Sequence, residues 1–264
     1  MRVVRAVLCC VPGALALGLL ALCAVTIDHR PQPGQAPAVR AAVMPAAAVP
    51  ASRASAAGAH SAAAPRIVPR AAWLEDADTY HRDPVRYSDH VDAVFIHHTD
   101  SPNGYDCADV PRIIRYLYAG QAGGKAWDDI GYNFLVDRCG TVYEGRAGGV
   151  DRAVVGAHTQ GFNQNTAGVA AIGTFTQGTP VPRAMTEAIA SVVAWKLGLS
   201  GTDPRAAVRL VSSNSLSRFP AGASAEFPAV SGHRDGYETF CPGLALMAEL
   251  PGIRERAARL QGRV

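Results

Sequence analysis

At 264 residues, 48% hydrophobic and 18% charged, the chain is long enough for one domain with a substantial core and too apolar to be disordered throughout. The formal net charge of +3 does not mark a basic protein, because Arg2, Arg5, Arg30, Arg40 and Arg53 against Asp28 supply +4 before residue 66, leaving about −1 for the rest. Lysine occurs only at Lys125 and Lys196 and the arginines are scattered, so the clustered cations that nucleic-acid backbones require are missing, and nucleic acid is not expected as a partner.

Residues 1–28 read as a targeting segment. Arg2 and Arg5 precede an uncharged apolar run from Ala6 to Ile27, the layout of a signal peptide. The run is long for that role and no Ala-x-Ala site follows, so an uncleaved membrane anchor with its positive end inside also fits. Cys23 invites a lipoprotein reading, against which the bulky Leu22 before it argues. Residues 29–65 are Ala and Pro with scattered Arg, Ser and Gln, without an aromatic residue or apolar periodicity, and read as an extended linker. Packing residues begin at Arg66-Ile67-Val68-Pro69, which places the domain at 66–264. A secreted or cell-wall location follows, with membrane contact only through the N-terminal segment if it is retained.

Within the domain, Val91 to His98 reads as a central strand, since Val94, Phe95 and Ile96 run without alternation. Asp109 and Pro111 open a helix with Ile113, Ile114, Leu117 and Tyr118 as its stripe, and Gly120 closes it. Tyr132–Val136 and Thr141–Glu144 form a hairpin through Asp137-Arg138-Cys139-Gly140, and Gly168 to Phe175 is a third strand. A helix runs from Pro182 through Leu197, stopped by Gly198. Residues 200–230, rich in Ser, Pro and Gly, read as a surface excursion without assigned structure. Leu244–Leu250 and Ile253–Leu260 are helical, split by Pro251-Gly252. Interleaved strands and helices with one hairpin give an α/β class, a mixed central β-sheet flanked by helices.

Outside the leader three cysteines remain, Cys107, Cys139 and Cys241. An exported unpaired thiol needs a reason. A Cys107–Cys139 disulfide with Cys241 on a metal accounts for all three, and three buried free thiols are the alternative. A metal reading has other support. His233 and Cys241 lie eight positions apart on one loop, and the strand from Val91 ends in His97 and His98. Side chains alternate along a strand, so at most one of His97 and His98 can reach the same ion as the loop. Two imidazoles and a thiolate suit zinc, and three protein ligands leave a fourth position for water, as in catalytic rather than structural sites. No His-Glu-x-x-His is present, which argues against a helix-borne zinc peptidase.

Five stretches, Phe95-Ile96-His97-His98-Thr99, Asp129-Ile130-Gly131-Tyr132-Asn133-Phe134, Gly140-Thr141-Val142-Tyr143-Glu144-Gly145-Arg146, Gly156-Ala157-His158-Thr159 and Gly232-His233-Arg234-Asp235 with Cys241-Pro242-Gly243, resemble the motifs of one family in its order. That family is the zinc-dependent N-acetylmuramoyl-L-alanine amidases shared by peptidoglycan recognition proteins and bacteriophage lysozyme-like amidases, and the likeness is strongest to secreted actinobacterial-type members. The resemblance covers nearly all of 66–264. It implies that His97, His233 and Cys241 hold Zn2+, that Tyr132 and Thr239 stabilise the oxyanion, and that His158 and Asn163 contact the glycan and peptide stem. For His158 and Asn163, satisfying their own loop's backbone is the alternative. The implied reaction is hydrolysis of the amide between N-acetylmuramic acid and the L-alanine of the stem peptide. The substrate and partner would be peptidoglycan, met by a monomer. Glu144 would either protonate the leaving amine or brace a ligand. A non-hydrolytic recognition module would keep the groove but would typically lose the cysteine, which is present here.

Overall fold

The computed structural model describes residues 60–74, 80, 83–125 and 127–264, which fall within the compact unit Ser52–Val264. The targeting segment and most of the 29–65 linker lie outside the described residues. Among the described residues no helix is long and apolar enough to cross a membrane. Packing starts slightly before the expected boundary at Arg66, since Ala62 already lies against the core.

Six strands form one sheet in the order β1 (Ile67–Val68), β4 (Val142–Glu144), β3 (Phe134–Val136), β5 (Thr166–Ala171), β2 (Ala93–His98) and β8 (Val230–Gly232). Only the β3–β4 hairpin is antiparallel and the other pairings are parallel, so the sheet is mixed, as the sequence predicts. Every residue of β2 and β5 is buried, which explains their unbroken apolar runs.

Alternation along β2 divides the core. Val94 and Ile96 face α2 (Arg183–Gly198) and α4 (Leu244–Leu260), packing on Ile189, Val193, Leu250 and Ile253. On the opposite face Leu135, Tyr143 and Ala170 pack with Trp73 and with Val110, Ile114 and Tyr118 of α1 (Val110–Tyr118). At the β8 end of that side Ala93 and Phe95 meet Phe162, Leu210 and Phe227.

Several elements differ from the sequence expectation. Helix α1 does not stop at Gly120 but passes after Tyr118 into a π-helical turn, Ala119–Gly124. Helix α4 is continuous through Pro251 instead of split there. An internal proline costs about 3 kcal/mol, whereas burying Leu250 and Ile253 contributes about 1.5–3 kcal/mol each, so packing wins over the local break. The unassigned 200–230 region holds an antiparallel ribbon, β6 (Ala207–Val211) and β7 (Ser224–Pro228), whose Leu210, Ala225 and Phe227 alternate inward. The Cys107–Cys139 disulfide is present, with Cα atoms 6.5 Å apart, and ties the entry to α1 to the β3–β4 turn.

Candidate metal centre and groove

The parallel pairing of β2 with β8 matches Ile96 to Gly232, so His97 and His233 emerge at the same carboxyl end of adjacent strands. Such strand ends are where open α/β sheets hold ligands. His233 opens a one-turn helix, α3 (His233–Gly236), whose start is pinned by the Gly232 amide donating to Asp235 Oδ2 at 2.8 Å. The Arg234 amide donates to the Cys241 carbonyl at 2.9 Å, folding the loop back so that residues eight apart in sequence become neighbours. His97, His233 and Cys241 thereby bring one ligand atom each within 4.8 Å of one another.

His97 is fully buried, its Nδ1 lies 3.8 Å from Cys241 Sγ, and its ring centroid is 4.4 Å from that of His233. Tetrahedral zinc with imidazole and thiolate ligands separates such atoms by roughly 3.5 Å, so the donor set and its spacing fit the ion. The His98 amide donates to Cys241 Sγ at 3.3 Å, a contact that favours the thiolate. The His98 side chain points to the opposite face, where its Nδ1 accepts the Phe175 amide at 3.4 Å, as strand alternation requires.

Burial sets the protonation of these groups. It lowers His97 well below the usual histidine range, reinforced by His233 and His158, and brings His233 down to about 4, so both imidazoles are neutral and able to donate lone pairs. Burial pushes the Cys241 thiol up to about 12, partly countered by the His98 amide, so a cation taking this ligand displaces its proton.

Beside the ligands runs a groove of about 510 Å³ lined by Gln121, Lys125, Trp127, Tyr132, His158 and Asn163, with His233 and Tyr237 at its wall. Tyr132 lies with its ring centroid 5.2 Å from that of His97. Burial, then the nearby Cys241, raises its phenol above the usual tyrosine value, so it is a neutral donor. Gln121 Oε1 accepts the Gly131 amide at 2.8 Å, which holds the Gln121 side chain at the groove beside Tyr132. Thr239 Oγ1 accepts the Cys241 amide at 3.1 Å, so its proton can be donated elsewhere.

The remaining expected site residues lie as follows. Asn163 lines the groove, but its Oδ1 accepts the amides of His158 and Thr159 at 2.8 and 2.9 Å, the local backbone role the sequence left open. The ring nitrogens of His158 are engaged inside the protein by Thr159, Thr166 and His97. Glu144 stands at neither the ligands nor the groove. Its Oε2 accepts the Arg70 amide at 3.0 Å and its carbonyl accepts Trp73 Nε1 at 2.7 Å, which fastens the N-terminal segment to the sheet. The sequence reading passed over Gln121, because Gly120 read as a helix end, and over Thr159 and Thr166, whose type carries no chemical signal of its own.

A mixed-sheet α/β domain here gathers two neutral imidazoles and a thiol beside a groove, a set of ligand atoms that could hold a metal ion. Residues 87–244 match the family N-acetylmuramoyl-L-alanine amidase (Amidase_2), and the chain belongs to that family. Human N-acetylmuramoyl-L-alanine amidase is 34% identical over 185 residues, covering 69% of this chain and 27% of that protein. Peptidoglycan-recognition protein LE of Drosophila melanogaster is 35% identical over 119 residues, covering 45% of this chain and 33% of the relative. The chain therefore spans a third or less of the length of these two relatives. Among solved structures, peptidoglycan recognition protein-LE in complex with tracheal cytotoxin, a monomeric diaminopimelic acid-type peptidoglycan, superposes with a TM-score of 0.54 at 27% identity, over 70% of this chain and 92% of that one.

Proposed function

We propose that the chain is an extracytoplasmic peptidoglycan hydrolase that cleaves the amide between N-acetylmuramic acid and the L-alanine of the stem peptide. The observation that carries this reading is the convergence of His97, His233 and Cys241 to within 4.8 Å beside a groove that also holds Tyr132. Zinc held by these three residues would supply a nucleophilic hydroxide near neutral pH and Lewis-acid polarisation of the amide carbonyl. Tyr132, a neutral phenol beside His97, donates to the carbonyl oxygen as that oxygen gains charge. Thr239 is a second donor, held by its bond from the Cys241 amide. The His98 amide steadies the thiolate. Asn163 shapes the groove wall through the backbone it caps, and Lys125 and Trp127 offer a cation and an aromatic face to a glycan or stem peptide. The Cys107–Cys139 disulfide and the Arg2/Arg5-led apolar run support an oxidising location outside the cytoplasm.

A recognition module without turnover is the second reading, favoured by the relatives named as recognition proteins. Mass spectrometry of purified muropeptides incubated with the protein, with and without a zinc chelator, separates the two. Chelator-sensitive release of an intact stem peptide with a free L-alanine amine supports the amidase. Unchanged muropeptide, from protein holding zinc and bound to the wall, supports recognition.

A further inference from the structure

We propose that His158 is a positioning residue for His97, fixing the tautomer that leaves His97 Nδ1 as the lone pair facing Cys241 and the site cation. The inference rests on the metal-centre reading above and concerns how this chain prepares its first ligand.

The assignment follows one chain of hydrogen bonds outward from the loop. Thr166 Oγ1 lies 2.6 Å from the Phe162 carbonyl, which can only accept, so the single hydroxyl proton is used there. Toward His158 Nε2, 3.4 Å away, the Thr166 oxygen can then only accept, so His158 carries its proton on Nε2 and its Nδ1 is bare. A bare nitrogen must be met by donors. The two groups that meet it are Thr159 Oγ1 at 3.0 Å and His97 Nε2 at 3.3 Å. His97 therefore carries its proton on Nε2, with Thr159 Oγ1 at 3.4 Å as a further acceptor, and its Nδ1 is left unprotonated 3.8 Å from Cys241 Sγ. In metal sites the second ring nitrogen of a histidine ligand usually meets such a partner, which sets both tautomer and ring orientation. Here the partner is another imidazole.

His158 is built in for this purpose. A Cβ at Gly168 would stand 2.4 Å from its Cγ, and one at Gly156 would stand 2.5 Å from its Cδ2, so the ring occupies a seat that only glycine at both positions leaves open. Gly168 is the residue of β5 that pairs with Phe95 of β2, two before His97. The loop that carries His158 is fixed by Asn163 Oδ1, which accepts the amides of both His158 and Thr159. His158 is 5% exposed, with both ring nitrogens bonded inward, which suits a brace for His97 better than a hydrogen-bonding contact to substrate.

The test measures zinc affinity of the full chain by competition with a chromophoric chelator for wild type, His158→Leu, His158→Asn and Thr166→Val. Nitrogen-15 NMR of the metal-free, histidine-labelled proteins reads the tautomers alongside. His158→Leu is expected to weaken zinc binding about 10- to 100-fold. His158→Asn, whose Oδ1 can stand where Nδ1 stood, is expected to recover most of that loss. In metal-free wild type His97 should carry its proton on Nε2, and in His158→Leu it should be a mixture. The proposal is overturned if His158→Leu binds zinc as tightly as wild type, or if folded His158→Asn is no better than His158→Leu. It is equally overturned if wild-type His97 carries its proton on Nδ1. If His158→Leu fails to fold, Thr166→Val carries the argument: it should free the His158 tautomer and weaken zinc binding in the same direction, and unchanged affinity with a released His158 tautomer overturns the idea. Wild type that does not bind zinc would instead remove the metal-centre reading, while the metal-free tautomer measurement still decides whether His158 orients His97.

Discussion

Lys196 gives the sharpest physical prediction outside the metal centre. It lies on α2, is 2% exposed, and donates from Nζ to the carbonyls of Val150 and Arg152 at 3.0 and 2.9 Å. Burial lowers its pKa to about 8 from the ordinary lysine value of 10.5, with Asp151 opposing weakly. Between those values the unfolded chain binds more protons than the folded one, so stability rises with pH across that window. It is lowest below pH 8, where the ammonium is charged in both states, and highest above pH 10.5, where it is neutral in both. The gap between about 8 and 10.5, at about 1.36 kcal/mol per pH unit, makes the full rise about 3 kcal/mol. Urea denaturation at pH 7 to 10.5, compared between wild type and Lys196→Met, isolates the effect, because every other titrating group is common to both proteins. Absolute stabilities at pH 7 are expected to be similar, since the methionine avoids burying a charge but leaves two carbonyls without their donor. The readout is the difference in slope: wild type should gain about 3 kcal/mol relative to the variant over the range. Parallel curves would refute the reasoning and mean that the two carbonyls hold the ammonium charged despite its burial.

Three further outcomes follow from the site and the disulfide. Cys241→Ala should lower zinc affinity at least ~100-fold and abolish muropeptide cleavage while circular dichroism stays native; metal analysis after dialysis against a chelator checks this. Tyr132→Phe should retain zinc stoichiometrically and lower kcat by about 10²–10³, so activity within twofold of wild type would remove the phenol from oxyanion stabilisation. The Cys107–Cys139 bond closes a separation of 32 residues, worth about 3–4 kcal/mol, so reduction should lower Tm by about 10 °C in calorimetry with and without reductant.

What the sequence discloses about the fold depends on whether an element is specified locally. β2 and the β3–β4 hairpin could be read because an unbroken apolar run and a turn-rich Asp137–Gly140 link carry their own signal. β8 could not: Val230-Ser231-Gly232 is three residues without periodicity and becomes a strand only because β2 offers it an edge. The β6–β7 ribbon hides in a Ser- and Gly-rich region, with an alternation too short to stand out until Phe227 and Leu210 meet Phe95 and Phe162. The same dependence on tertiary contact carries α4 across Pro251. Packing against α2 and β2 is invisible to any window centred on the proline, and it outweighs the local cost of the lost amide.

The site divides along a different line. Metal ligands are drawn from a few residue types, so two histidines and a cysteine stand out as candidates from a chain with eight histidines and six cysteines, once strand alternation allows only one of His97 and His98 and the family resemblance selects His97. Groups that orient those ligands are under no such restriction. The His98 amide on Cys241, the Thr166 hydroxyl under His158 and the two glycines that seat its ring are a backbone donor, a common polar side chain and the absence of side chains. None has a composition signal, and each acts only because β2, β5 and the 156–163 loop converge. His158 crosses the two classes. Its residue type identifies it as a chemical group, and that alone points toward the substrate, while its seat and its bonds point toward His97. Sequence pattern can therefore nominate the atoms that touch a metal far more readily than those that decide which lone pair is offered, and the second set is where substitutions that spare every ligand should still weaken zinc binding.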